Sequence, residues 1–400
     1  MNPELAAMVV VAVLAVLAPL LARGLGRWVR IPIVVFELVL GILAGPSVLG
    51  WARPGEFIHL LSELGLAMLF FVAGTEIDVA SLRGRTGKRA IWGWVISIGV
   101  GLALGLVVMP NGGAMVIAVA LASTALGTLL PILRDNDELT TPFGRAVGAI
   151  GAVGEFGPLI AISLFLGGRS LGAASVVLGL FTAIAAAAIF AALRLKHGTL
   201  HSFVNSSLHT SGQFAIRVVL MILILLVALS IVLELDMLLG AFVAGLVWRL
   251  MMRDADESDR EAVESKVEAL AFGFLVPIFF IYTGITFDLA SLLAQPVLLA
   301  MVPVAAVALF VVRGLPSMLS APEQSSTRDR WSIAFLGATG LPIIVAVTGI
   351  GVDQQLIPTT IATVLVAGGM LSVLLFPLIG MLLRGDSTKR VHPPTVSSTR

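Results

Sequence analysis

Apolar runs of 18 or more residues recur along this chain from Leu5 to Leu383, and they set its architecture. A run of that length spans the hydrocarbon of a bilayer as an α-helix. The composition agrees. Of 400 residues, 58% are hydrophobic and only 12% charged, against roughly 25% charged in soluble domains. There is no cysteine, which excludes disulfides, Cys-ligated metal and thiol redox chemistry. The net charge of +1, with no Lys/Arg-rich block, gives no reason to expect a nucleic-acid partner. No P-loop, H-E-x-x-H or G-x-S-x-G is present, so no enzyme and no cofactor is expected. The first run, Leu5 to Leu21, lacks a basic n-region and is followed by Arg23, Arg27 and Arg30. It reads as a retained first helix rather than a cleaved signal peptide.

The runs predict about thirteen helices, near residues 4–22, 32–49, 57–75, 90–109, 113–133, 142–167, 171–194, 214–233, 236–250, 268–289, 296–318, 331–350 and 357–383. Basic residues test the count. Loops after odd-numbered helices, with the tail, hold 21 of the 25 Lys and Arg; the opposite loops hold Arg53 and Arg169, and Arg217 and Arg313 fall inside helices. Because cytoplasmic loops attract Lys and Arg, the N-terminus is expected outside and the C-terminus in the cytoplasm. The tail, 385–400, is short and polar and is expected to be disordered. In the charged loop Arg249 to Lys266, Ser258-x-x-Glu261 has the form of a capping box, so a short surface helix is expected to start there. His197, His201 and His209 share another loop, where ordinary loop histidines are a better reading than a metal site.

One signature occurs twice. Phe70-Phe71 leads into Gly74-Thr-Glu-Ile-Asp78-Val-Ala-Ser-Leu82, and Phe279-Phe280 into Gly284-Ile-Thr-Phe-Asp288-Leu-Ala-Ser-Leu292. The copies close the third and tenth helices. An offset of seven helices is odd, so the second copy is expected to be inverted across the membrane. Inverted repeats are the architecture of secondary transporters, with the substrate site near the midplane at the repeat interface. The expected fold is therefore an all-α polytopic membrane protein with inverted-topology repeats and two broken crossing helices.

Chemistry has to come from charges inside the bilayer. From Ala146 to Gly168 the only charged residue is Glu155. It lies about 15 Å from Arg145 and about 21 Å from Arg169 along the helix, close to mid-span. A carboxylate there is expensive, so it is protonated, paired or hydrated through a cavity, and can exchange a proton for a cation. The small neighbours Gly151, Ala152, Gly154 and Gly157 are expected to let backbones approach closely and to leave room for an ion. Two helices look broken at corresponding places, one at Ser123-Thr124 and Gly127-Thr128, the other at Gly337-Ala-Thr339-Gly340-Leu-Pro342. Pro342 cannot donate to the helix ladder and Gly340 relaxes the backbone. Unwound segments expose half-helix dipoles and free carbonyls to an ion beside Glu155, with Ser123, Thr124 and Thr339 adding hydroxyls. Arg313, in the eleventh helix, either pairs with Glu155, braces the broken helices or snorkels to the surface. Arg217 snorkels. Glu37 and Glu63 are read as structural or rim residues, and Glu76, Asp78 and Asp288 as caps or interfacial anchors.

Together these residues resemble the monovalent cation:proton antiporter-2 family, the Na⁺/H⁺ exchanger-like membrane domain, from about Val10 to Leu383. The carriers are Phe36-Glu37-x-x-x-Gly41-x-x-x-Gly45-Pro46, Gly74-x-Glu76-x-Asp78, Ser123-Thr124-Ala125, the acid of the sixth helix and Phe279-Phe280-x-x-x-Gly284. The resemblance implies that Glu155 is the essential acid and Arg313 the basic residue of the eleventh helix. Members usually carry Asp preceded by Asn, Asp or Gln where this chain has Gly154-Glu155. It further implies an antiporter exchanging Na⁺ or K⁺ for H⁺, electroneutral with its one carboxylate, in a bacterial inner membrane. The transmembrane domain is expected to span 1–384 of a homodimer, with core helices about 90–167 and 296–383, a scaffold about 4–75 and 214–289, and a linker helix about 171–194. The regulatory nucleotide-binding domain of some members is not expected here. A proton-coupled transporter of an organic ion on the same fold is the alternative, favoured by space at Gly154. A channel or sensor is disfavoured by the lack of a selectivity-filter sequence.

Overall fold

The computed structural model describes residues 3–25, 32–77, 84–110, 112–194, 214–253 and 257–385. The three loop histidines, Asp78 to Leu82 of the first repeat copy, and the tail beyond Gly385 lie outside the described residues. In chain order the helices are α1 (Pro3–Leu25), α2 (Ile33–Ala44), α3 (Glu56–Glu76), α4 (Arg85–Val108), α5a (Gly113–Leu121), α5b (Leu126–Asp135), α6 (Pro142–Phe165), α7 (Leu171–Arg194), α8 (Phe214–Val232), α9 (Met237–Met251), α10 (Glu257–Thr286), α11 (Pro296–Ser320), α12a (Thr327–Gly337), α12b (Pro342–Asp353) and α13 (Thr359–Arg384). A six-residue helix, Leu289–Ala294, joins α10 to α11.

Among the described residues, eleven spans are long and apolar enough to cross a membrane. The chain is an integral membrane protein. The remaining two expected crossings are α2 and α9, of 12 and 15 residues. Both fall short of the roughly 17 residues a crossing helix needs, so a count of thirteen does not follow from length. The two short helices stand seven apart in the order, as the broken ones do. Gly45-Pro46 stops α2, while Asp236 opens α9 by accepting the Leu238 N–H at 2.9 Å.

The tenth helix starts earlier than its apolar run. It begins at Glu257, so Ser258 lies within the helix and does not cap it. Glu257 and Asp259 place negative charge on the first turn, which the helix dipole favours. A capping box does open α12a, where Asp329 N–H donates to Ser326 Oγ at 3.2 Å and Ser326 N–H to Asp329 Oδ2 at 3.1 Å. Both α10 and α11 contain a π-helical turn just ahead of a proline, Ala271–Leu275 before Pro277 and Phe310–Gly314 before Pro316.

The repeated glycines mark two helix crossings built alike. Gly284 of α10 meets Gly41 of α2, and Gly74 of α3 meets Gly245 of α9. A Cβ built on Gly41 would lie 3.0 Å from the Gly284 Cα; one on Gly245 would lie 3.0 Å from the Gly74 Cα. In each case it would also run into the carbonyl three residues before the partner glycine, Ile281 O or Phe71 O. Only glycine lets backbones approach this closely. The pairs bring α2 onto α10 and α9 onto α3, so each repeat's motif helix is held by the short helix of the other repeat.

Candidate functional site

The two unwound segments, Ala122–Ala125 and Ala338–Leu341, cross beside the middle of α6. Their backbone groups pair with each other and with α6. Ala125 N–H donates to Thr339 O at 2.7 Å, and Thr124 N–H to Gly154 O at 2.9 Å. The Thr124 hydroxyl donates to Gly337 O at 2.6 Å. Ser372 of α13 braces the second break, donating to Gly340 O at 3.1 Å while accepting from Gly340 N–H at 3.3 Å. Gly340 allows the approach, since a Cβ there would stand 3.0 Å from Ser123 Oγ. Pro342 begins α12b, where its missing N–H is harmless. Gly127, in the first turn of α5b, has open space around it, with Leu69 Cδ1 at 3.8 Å the nearest atom to a built Cβ.

Glu155 is 2% exposed. Leu126, first residue of α5b, packs against α6 one turn before Glu155, with its backbone N–H near the carboxylate. That amide carries the positive end of the half-helix dipole. Among the described residues, Glu155 Oε2 has no hydrogen-bond partner. Ser123, Thr124 and Thr339 are fully buried around the same crossing. Ser123 and Thr339 donate their hydroxyl protons back to their own half-helices, to Ala120 O at 2.8 Å and Phe335 O at 3.2 Å. That leaves their oxygen lone pairs as the groups available to a cation.

Arg313 is 1% exposed, so it does not snorkel. Its Nε donates to Thr124 Oγ1 and its Nη2 to Ile150 O, both at 2.7 Å. No ion pair to Glu155 is present among the described residues, and Arg313 reaches the first break through the Thr124 hydroxyl rather than through a freed carbonyl, its carbonyl acceptor being Ile150 of α6. The glycines of α6 do not leave the room expected. A Cβ on Gly151 would meet Leu126, one on Gly154 the Arg313 guanidinium and Thr124, and one on Gly157 the Trp94 ring. Each glycine admits a neighbour. The space at Gly154 that favoured an organic substrate is occupied.

A cavity of about 220 Å³ lies between α3, α5b, α9 and α10. Its charged lining is Glu76, Arg134, Arg249, Glu264 and Glu268. Glu76 was expected as a cap or anchor; it lines this cavity instead, and its Oε2 is buried without a partner among the described residues. The visible signal was the repeat itself, since Glu76 matches Thr286 in the second copy. Asp288 does cap, accepting the Ser291 N–H at 3.0 Å. Glu37 is buried in α2, Arg217 is exposed, and Glu63 is half-exposed beside His59. Next to Glu155, in the middle of α6, Phe156 stacks on Phe242 of α9 with centroids 5.2 Å apart. Beyond it, Arg169 pairs with Glu234 at 2.6 Å and donates to Leu233 O at 2.8 Å.

A helical membrane bundle whose two broken helices cross beside a lone buried carboxylate has the build of a secondary transporter. The chain belongs to the family described as sodium/hydrogen exchanger, transmembrane, whose model matches residues 12–383. It is 26% identical over 397 residues to the putative Na(+)/H(+) antiporter YjbQ of Bacillus subtilis (strain 168), covering 94% of this chain and 62% of that protein. The chain thus spans less than two thirds of that relative. It is 23% identical over 377 residues to a Na(+)/H(+) antiporter of Enterococcus hirae, covering 92% of this chain and 95% of that one. Among solved structures, the sodium proton antiporter MjNhaP1 from Methanocaldococcus jannaschii at pH 8 has the same fold, with a TM-score of 0.65 at 18% identity over 96% of this chain and 99% of that one.

Proposed function

We propose that this chain exchanges a monovalent cation, Na⁺ or K⁺, for H⁺ by competition at Glu155. The observation that carries the reading is the Glu155 carboxylate, buried, with one oxygen lacking a partner among the described residues and the start of α5b packed beside it. A proton or a desolvated cation satisfies that oxygen equally, and both cannot do so together. Hydroxyls and broken-helix carbonyls around Thr124 and Thr339 supply further oxygen ligands. With one carboxylate at the crossing, one cation exchanges for one proton. The Na(+)/H(+) antiporters named above as relatives support this substrate class.

In this reading α4–α6 and α11–α13 form a core that moves against a scaffold of α1–α3 and α8–α10, within a homodimer. The matched Gly41–Gly284 and Gly74–Gly245 crossings support two repeats of inverted topology. The basic loops support an N-terminus outside. The charged cavity is then the cytoplasmic approach to Glu155, and the Phe156–Phe242 stack with the Arg169–Glu234 pair closes the opposite side. The test is everted membrane vesicles holding a respiration-driven pH gradient. Addition of Na⁺ or K⁺ is expected to dissipate the gradient only when this chain is present. A gradient indifferent to Na⁺, K⁺ and Li⁺, with the protein folded in the membrane, overturns the reading.

A further inference from the structure

We infer that Gly154 is a positioning residue: its missing side chain is the seat of the Arg313 guanidinium, which holds the break in α5 against Glu155. The inference rests on the exchange proposed above. The atoms are specific. A Cβ on residue 154 would stand 2.5 Å from Arg313 Nη2, 2.5 Å from Thr124 Oγ1 and 2.6 Å from Thr124 Cβ. Neither neighbour is free to yield. Nη2 is committed to Ile150 O and Nε to Thr124 Oγ1, whose own proton goes to Gly337 O. Thr124 N–H is fixed on Gly154 O and Ala125 N–H on Thr339 O. The next residue is Leu126, which opens α5b and packs on α6 beside Glu155. Displacing Thr124 therefore moves the helix start that lies next to the carboxylate. By contrast Gly148, earlier on the same helix, has nothing within 4 Å of a built Cβ.

This accounts for the Gly154-Glu155 pair in place of a polar residue followed by an acid. Arg313 fills the volume a polar side chain at 154 would need, so Gly154→Asn on its own is expected to abolish exchange rather than improve it.

The test is a double-mutant cycle of Gly154→Ala and Arg313→Lys with Gly148→Ala as control, read by melting temperature and by the pH midpoint of exchange in proteoliposomes. Lys lacks the planar fork, so it vacates the Nη2 position beside residue 154, while Thr124 stays held by Gly154 O and Gly337 O. Gly148→Ala is expected to leave both readings unchanged. Gly154→Ala is expected to lower the melting temperature and displace the midpoint, and to do both by less in the Arg313→Lys background. An unmoved midpoint, or equal shifts in both backgrounds, overturns the inference. If Gly154→Ala alone does not fold, rescue of folding by Arg313→Lys supports the inference and its absence overturns it. If wild-type protein shows no cation-coupled proton flux, the exchange reading fails, while the melting-temperature cycle still reports on the Gly154–Arg313 coupling.

Discussion

A guanidinium buried among apolar helices has to have its donors met, because an uncompensated buried charge is strongly destabilising. Arg313 meets this by joining three elements: its own α11, the break after α5a through Thr124, and α6 through Ile150 O. Hydrogen bonds to charged groups contribute about 1.5–3 kcal/mol each. Arg313→Ala removes two of them, and is expected to lower the melting temperature in detergent and to shift the pH profile of exchange; wild-type melting with an unchanged profile contradicts the brace. Glu155 was legible in the sequence because it is a lone charge in an apolar helix. The partners of Arg313 were not, since Thr124 lies 189 residues away and no local pattern links them. The glycines of α6 were misread for a related reason: a missing Cβ reads as empty space until the neighbour that fills it is known. Glu76 was missed because a carboxylate at a helix end resembles a cap until the cavity beside it is visible.

Helices here are positioned by glycine contacts and breaks more than by polar links. At Gly41 and Gly245 the opposing atoms are backbone, which cannot rotate away. Gly41→Ala and Gly245→Ala are each expected to cost about 1–3 kcal/mol, as overpacking does. Gly349→Ala, with nothing within 4 Å of its built Cβ, is expected to be neutral in the same melting assay. Equal melting of all three would remove the close crossings. The broken helices were legible because Pro342, Gly340 and the Ser123-Thr124 pair interrupt apolar runs with known breakers. The continuity of α10 was not. The capping-box pattern marks a helix start at Ser258, one residue from the observed Glu257, but the first turns are charged rather than apolar, so hydropathy separates them from the apolar run at 268 that they continue into.

Across the molecule, the proposed pathway past Glu155 has two unlike ends. One is the charged cavity of about 220 Å³ between α3, α5b, α9 and α10; toward the other, Phe156 beside Glu155 stacks on Phe242, and Arg169, past the end of α6, is held by Glu234 and Leu233. If transport alternates between these ends, the Arg169–Glu234 contact must open in each cycle. The natural chain has no cysteine, so Arg169→Cys with Glu234→Cys introduces the only two thiols. Oxidation of that variant is expected to stop exchange and reduction to restore it; full flux through the cross-linked protein contradicts a moving core. The account as a whole depends on one carboxylate. Glu155→Gln keeps size and hydrogen bonding but cannot ionise, and is expected to fold at least as stably as wild type because a buried ionisable group is gone. Glu155→Asp keeps the charge one methylene shorter and is expected to retain exchange with altered cation affinity. The most direct measurement is proton-coupled cation flux of the Glu155→Gln protein in proteoliposomes, with its folding checked by gel filtration. The account predicts no coupled flux, and flux at the wild-type rate would contradict it.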